Sequence, residues 1–284
     1  MKKKLWRKVV SILGVITIGS GAMYYYLVLP NKPKAAEQTT FQYGPQSKQN
    51  LEVYKPSIKK GDQTPVILYV HGGSWMAGDK ENVADKPKFF NDMGYTFISV
   101  NYRLAPKANY RDMGEDIAAA LKWVKDYADE YQFDAEKITL MGHSAGGHLV
   151  TLIASDESYL EKENLELKDI HLIIEIEGPL NIPQFVQENK MYKTVFSRNK
   201  EKWKLASPSH YIQNKKMPLM LFITRPDEST TSFMNEVESA GNEVELFSAS
   251  TLSHTDLTKL IGTTKQVEAQ QLTGKVASFL KKYN

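Results

Sequence analysis

The 284-residue chain contains no cysteine, which excludes disulfides, thiolate metal ligands and a cysteine nucleophile together. It also lacks a strong charge bias. The formal net charge is +3, and Lys2, Lys3, Lys4, Arg7 and Lys8 sit in the first eight residues, so the rest is slightly acidic and offers no basic stripe for nucleic acid. No H-E-x-x-H or comparable His and carboxylate spacing occurs, so neither a metal nor a cofactor is expected. Repeats and low-complexity tracts are missing as well. Residues 9–29 carry no charge at all over 21 positions. As a helix, such a run spans a hydrocarbon core of about 30 Å, and the basic cluster before it favours a cytoplasmic N-terminus with the remainder outside. A cleaved signal sequence is the alternative, with small residues at Ser20-Gly21-Ala22. The expectation is therefore a membrane anchor or signal sequence over 1–30 and a tether over 31–48. A single globular domain over 49–284 follows, outside the cytoplasm at the cell membrane, or secreted if the chain is cut after Ala22.

What is present in that domain is an alternation. Apolar, β-rich runs recur at 51–54, 66–70, 95–100, 137–141, 171–176, 218–223 and 243–247. Helical spacing falls between most of them: at 112–131, where Ile117, Ala120, Leu121 and Val124 share a face, and at 145–154, 229–241 and 264–281. Strands alternating with helices predict an α/β fold, a mostly parallel sheet covered on both faces.

Two loops after strands carry the chemistry. The run Val66–Val70 spills into His71-Gly72-Gly73-Ser74-Trp75, and 137–141 spills into Gly142-His143-Ser144-Ala145-Gly146 and then directly into a helix. A strand, a sharp turn centred on serine and an immediate helix hold that serine exposed, as a nucleophile requires. Attack on a carbonyl then needs a base. Of the six histidines, His143 adjoins Ser144, while His148, His171 and His210 read as packing or loop residues. His254 lies in a loop after the last strand and before the final helix, where a mobile base fits. Asp227, after the strand at 218–223, is the expected acid that orients the imidazole, in the chain order Ser144, Asp227, His254. Glu177, just past 171–176, is the alternative acid. The oxyanion formed by attack needs fixed donors, each worth roughly 3 kcal/mol, and the backbone N–H groups of Gly72, Gly73 and Ala145 are placed to supply them.

With these residues the chain resembles the α/β-hydrolase superfamily in its HGG-type esterase/lipase branch, as in hormone-sensitive-lipase-like and feruloyl-esterase-like bacterial carboxylesterases. The resemblance runs from about residue 50 to 281 and also rests on Asn101-Tyr102-Arg103-Leu104-Ala105-Pro106 and on Gly147-His148. It implies a sheet of about eight strands, a Ser-His-Asp triad, a metal-free acyl-enzyme and a small-molecule ester as substrate. It further implies that His71 shapes its loop and that Arg103 and Asp116 form a salt bridge. The alternatives are an arylformamidase-like amide hydrolase and a catalytically silent binding module. Two departures stand out. Thr224 occupies the place, three residues before the acid, where such proteins often have glycine. The one large insertion, 178–217, brings Phe185, Tyr192, Phe196 and Trp203 as lid or pocket candidates.

Overall fold

A computed structural model of the chain describes residues 13–15, 25–27, 37–57, 59, 61–212 and 216–284. Residues 1–35 are a unit of their own, in which β1 (Leu13–Val15) and β2 (Tyr25–Leu27) pair antiparallel with Leu13 opposite Leu27. This corrects the expected membrane helix over 9–29. The described part of that run is strand, and among the described residues no helix is long and apolar enough to cross a membrane. The rest of the run, with Ser20-Gly21-Ala22, lies outside the described residues. Length and hydropathy admit a span, but composition opposes a helix. Val, Ile, Thr and Tyr are crowded on a helix and suit a strand, and each of Gly14, Gly19 and Gly21 costs a helix about 1 kcal/mol. The membrane partnership and the cell-membrane location inferred from that helix lose their support with it.

Residues 36–284 form the second unit. Its sheet starts with β3 (Glu37–Gln42), inside the stretch expected to be a tether, followed by β4 (Asn50–Lys55) and β5 (Thr64–Val70). Next come α1 (Lys86–Asp92), β6 (Thr96–Val100), α2 (Tyr110–Asp126), α3 (Ala128–Tyr131), β7 (Phe133–His143), α4 (Ala145–Ser155), α5 (Ser158–Glu161) and β8 (Leu172–Ile176). The last third holds α6 (Ile182–Glu188), α7 (Lys193–Phe196), β9 (Leu219–Thr224), α8 (Glu228–Ser239), β10 (Val244–Ser248), α9 (Asp256–Lys259) and α10 (Val267–Tyr283). The eight strands run in the order β10-β9-β8-β7-β5-β6-β4-β3. All neighbours from β6 to β10 are parallel, and β4 and β3 add antiparallel at one edge.

Burial on both faces explains the unbroken apolar runs. In β5, Val66, Leu68 and Val70 pack in the core shared with α2, α4 and α8, whereas Ile67 and Tyr69 pack in the core shared with α1 and α10. Each such side chain contributes about 1.5–3 kcal/mol by leaving water. The long helix α2 starts where Asn109 caps it, its side chain accepting from the N–H groups of Arg111 and Asp112 while Asp112 reaches back. From the buried face of α2, Asp116 takes Arg103 Nη2 at 2.7 Å and Arg103 Nε at 2.9 Å, the expected salt bridge.

Parallel strands end on the same side, and the register decides which loops meet. Val70 stands opposite Gly142, Gly142 opposite Glu175, Ile176 opposite Ile223 and Thr224 opposite Ser248. The segments beginning at Gly72, Ser144, Glu177, Arg225 and Ala249 therefore line one edge of the sheet in that order. Beyond the carboxyl ends of the strands, between β5 and β7 where the strand order reverses, is where open α/β sheets bind ligands.

Candidate active site

Ser144 sits between β7 and α4 with φ 54° and ψ −117°, a backbone conformation that a non-glycine residue holds only when its surroundings impose it. Its N–H donates to Ile176 O at 2.8 Å, and its carbonyl accepts from His148 N at 3.0 Å, so the turn is tied to β8 on one side and to its own helix on the other. A side chain at Gly146 would collide with the Val70 and His71 carbonyls of β5 and its loop, which is why the turn can press against that strand only with glycine there.

The His71-Gly72-Gly73 loop lies against this turn. A Cβ on Gly72 would stand 3.1 Å from Ser144 Cβ and 2.8 Å from His143 Nδ1, so bare backbone is what reaches the serine. Among the described residues, neither the Gly72 nor the Gly73 N–H is taken by a backbone acceptor. Ala145 opens α4, so its N–H belongs to a free helix N-terminus. His71 shapes the loop: its ring stacks on Tyr102 with centroids 4.5 Å apart, its Nδ1 is 2.8 Å from Gly72 O, and Tyr102 donates to His71 O at 2.9 Å.

His254 shares a cavity of about 500 Å³ with Ser144, Glu177, Asp227 and Arg225, walled by Trp75, Phe185 and Tyr192. Its loop is held at three points. Glu268, in the first turn of α10, accepts from the N–H groups of Ser250 at 2.6 Å, Thr251 at 2.8 Å and Leu252 at 3.0 Å. His143 Nε2 stands 3.0 Å from the His254 carbonyl, with burial first and then the charge of His254 lowering the His143 pKa to about 4. The neutral ring can then donate to that carbonyl. Beyond His254, the buried Lys86 donates from Nζ to Thr258 O at 2.8 Å.

The expectation for the acid is corrected here. His254 Nδ1 lies 2.5 Å from Glu177 Oε2, and Asp227 is turned elsewhere. Asp227 caps α8: its Oδ2 accepts from Thr230 N at 2.6 Å, and its carbonyl accepts from Thr231 Oγ1 at 2.9 Å. The reason is geometric. β8 lies between the strand of Ser144 and the strand of Asp227, so Glu177 starts one strand closer to the nucleophile. Its φ of 48° breaks the strand alternation and leaves its carboxylate against His254. Arg225 Nε fixes the other oxygen at 2.7 Å. Half-burial raises the pKa of Glu177, but the hydrogen bonds from His254 and Arg225 outweigh it, so the carboxyl stays below its ordinary value and charged. The signals were in the sequence: Asp-Glu-Ser-Thr before a helix reads as an N-cap, and Thr-Arg-Pro stands where the resemblance would have glycine.

The segment 178–217 splits the aromatic candidates. Phe185 and Tyr192 reach the cavity, whereas Phe196 and Trp203 are fully buried. Trp75 lies among Phe185, Tyr192 and Phe196, with ring centroids 4.8–5.7 Å away, and His148 holds it from below, its Nδ1 3.3 Å from Trp75 Nε1 and its Nε2 2.8 Å from Ala206 O. His148 thus supports the pocket wall. His171 pairs with Tyr283 O at 2.8 Å and plays no part in the cavity.

Lys86 supplies a pH signature. Burial lowers its pKa from 10.5 to about 7. Between those values the unfolded chain holds a proton that the folded chain has shed, so stability rises with pH from about 7 to 10.5. Below about 7 both states are charged, and the full cost of burying the ammonium remains. Urea midpoints for wild type and Lys86→Met should accordingly diverge in favour of wild type as pH is raised from 7 to 10; a constant difference would contradict the buried-lysine account.

Comparison with known proteins agrees with this architecture. The family model described as BD-FAE matches residues 51–234, from within β4 to the middle of α8. A probable isoprenylcysteine alpha-carbonyl methylesterase of Arabidopsis thaliana is 24% identical over 86% of this chain and 54% of its own length. Esterase LipQ of Mycobacterium tuberculosis is 24% identical over 80% of this chain and 57% of its own. The chain thus spans about half the length of the curated relatives it matches. Among solved structures, a thermophilic esterase of Thermogutta terrifontis with butyrate bound superposes with a TM-score of 0.71 at 22% identity, covering 88% of this chain and 94% of that one. Esterase B of Lactobacillus rhamnosis gives 0.72 at 18%, covering 88% and 87%. These likenesses establish the fold, and the match over nearly two-thirds of the sequence places the lineage: the chain belongs to the BD-FAE family, in the esterase branch of the α/β-hydrolases.

Proposed function

We propose that the protein is a serine carboxylesterase for short-acyl esters, with Ser144 as nucleophile, His254 as general base and Glu177 as the acid behind it. The observation that carries the reading is the 2.5 Å contact between His254 Nδ1 and Glu177 Oε2 in the cavity that Ser144 also lines. The Ser144 hydroxyl adds to the ester carbonyl and passes its proton to His254 Nε2, and the charged Glu177 stabilises the imidazolium. The N–H groups of Gly72, Gly73 and Ala145 take the oxyanion. His254 then protonates the departing alcohol, and water, activated by the same ring, releases the acid and restores Ser144. The methylesterase and esterase names of the relatives described above support ester bonds, while an arylacetamide deacetylase of Oryctolagus cuniculus, 31% identical over 41% of this chain, keeps the amide reading as the alternative. The aromatic wall of Trp75, Phe185 and Tyr192 suits a small apolar acyl group.

The test is a rate series on the full chain with p-nitrophenyl acetate, butyrate and octanoate beside p-nitroacetanilide, together with a fluorophosphonate probe read by peptide mass. Acetate and butyrate should lead octanoate, the anilide should be at least about 100-fold slower, and the probe should label Ser144. An anilide faster than the acetate would turn the reading to an amide hydrolase, and no turnover with no labelling would end it.

A further inference from the structure

Two residues before Glu177, a second glutamate is wholly buried. Glu175 lies in β8, opposite Gly142 of β7 and Phe222 of β9, with 0% of its surface exposed. One carboxyl oxygen accepts the Gly178 N–H, and the other has no hydrogen-bond partner among the described residues. A bare carboxylate oxygen in that position would be costly, whereas a carboxylic acid carries its proton there and keeps its carbonyl oxygen for Gly178. Burial first, with repulsion from Glu177 and Asp227 adding to it, raises this carboxyl well above its ordinary pKa, in keeping with a neutral acid beside a charged one.

The same oxygen is wedged between two turns. A Cβ on Gly147, in the first turn of α4, would stand 2.5 Å from it, and one on Gly178 would stand 2.7 Å away. Gly147 follows Ser144 by three residues and Gly178 follows Glu177 by one, so this carboxyl touches both the nucleophile turn and the turn of the acid. The latter needs holding, because Glu177 occupies a left-handed conformation at φ 48° and its own side chain is committed to His254 and Arg225.

We propose that Glu175 is a positioning residue: as a buried carboxylic acid it grips the Gly178 N–H and fills the gap to Gly147, fixing the Glu177 turn so that its carboxylate remains on His254 Nδ1. The inference rests on the Ser144, His254 and Glu177 reading above. A neutral acid does this without adding a second negative charge beside Glu177.

Glu175→Gln keeps the shape, the neutrality and the acceptor. Glu175→Leu keeps most of the volume and loses the acceptor. With p-nitrophenyl butyrate, the glutamine variant should stay within about 3-fold of wild type in kcat. The leucine variant should lose about 100-fold in kcat with KM nearly unchanged, and the acid limb of its kcat/KM profile should move down by about one pH unit, because the imidazolium loses its fixed partner. A leucine variant with wild-type kcat and an unmoved acid limb would overturn the proposal, as would a glutamine variant that falls as far as leucine, which would mean that an ionised Glu175 is required. Should the leucine variant fail to fold, Glu175→Ser, too short to reach Gly178, takes its place with the same expectations. Glu177→Gln made alongside separates the two ideas. Full activity there sinks the triad reading itself, whereas its loss together with full activity in Glu175→Leu sinks only the role of Glu175.

Discussion

Ser144→Ala should lower kcat/KM for p-nitrophenyl butyrate by at least about 10³-fold, a loss of at least about 4 kcal/mol of transition-state stabilisation, and should abolish fluorophosphonate labelling. The size follows from the role. The Ser144 hydroxyl stands at the head of α4 in a strained turn beside the Gly72-Gly73 loop, so on the proposed mechanism its removal leaves only binding and the backbone donors to assist water. Stability should change little, because the turn is tied by its backbone, through Ser144 N to Ile176 O and Ser144 O from His148 N, and not by its side chain. Thermal melts made alongside the rates check this. A variant that melts as wild type and retains more than a tenth of the rate would remove Ser144 from the mechanism.

The second large effect separates two carboxylates that line the same cavity. Glu177→Gln should cost on the order of 10³–10⁴-fold in kcat, since an amide neither balances the imidazolium nor reliably keeps the proton on Nδ1. Asp227→Asn should stay within about 3-fold, because asparagine caps a helix as well as aspartate does. Asp227→Ala should leave kcat near wild type and cost about 0.5–2 kcal/mol of stability through the lost cap on α8. The pair is read by kcat for the first substitution and by urea midpoint for the last. The reverse pattern, with Asp227→Asn inactive and Glu177→Gln active, would restore the chain-order assignment and require the His254 loop to take another position during turnover.

Much of this molecule was legible in the residues. Continuous runs such as Val66–Val70 announce strands buried on both faces, and the spacing of Ile117, Ala120, Leu121 and Val124 announces α2, because burial periodicity is a local property of the chain. The serine turn was legible for the same reason: strand, Gly-x-Ser-x-Gly and helix are contiguous. β3 was not, since Gln38, Thr39, Thr40 and Gln42 are polar and exposed, and the segment becomes a strand only by pairing with β4. The apolar run at 9–29 misled in the opposite direction. Hydropathy and length measure only the cost of leaving water, while the strands at 13–15 and 25–27 follow backbone preference.

By itself, then, the sequence determined the alternating α/β fold, the Ser144 turn, the glycine loop at Gly72 and Gly73, and the loop after the last strand that carries His254, each written in a few contiguous residues. Tertiary structure alone decided which carboxylate meets His254, that Asp227 serves a helix, and that Glu175 is locked beneath both turns. Those outcomes depend on strand order and register, which bring residues 77 positions apart to within 2.5 Å, and on one left-handed residue at Glu177 that redirects its side chain. Neither strand order nor a single backbone reversal leaves a periodic mark in the sequence, because both arise from contacts between segments far apart in the chain.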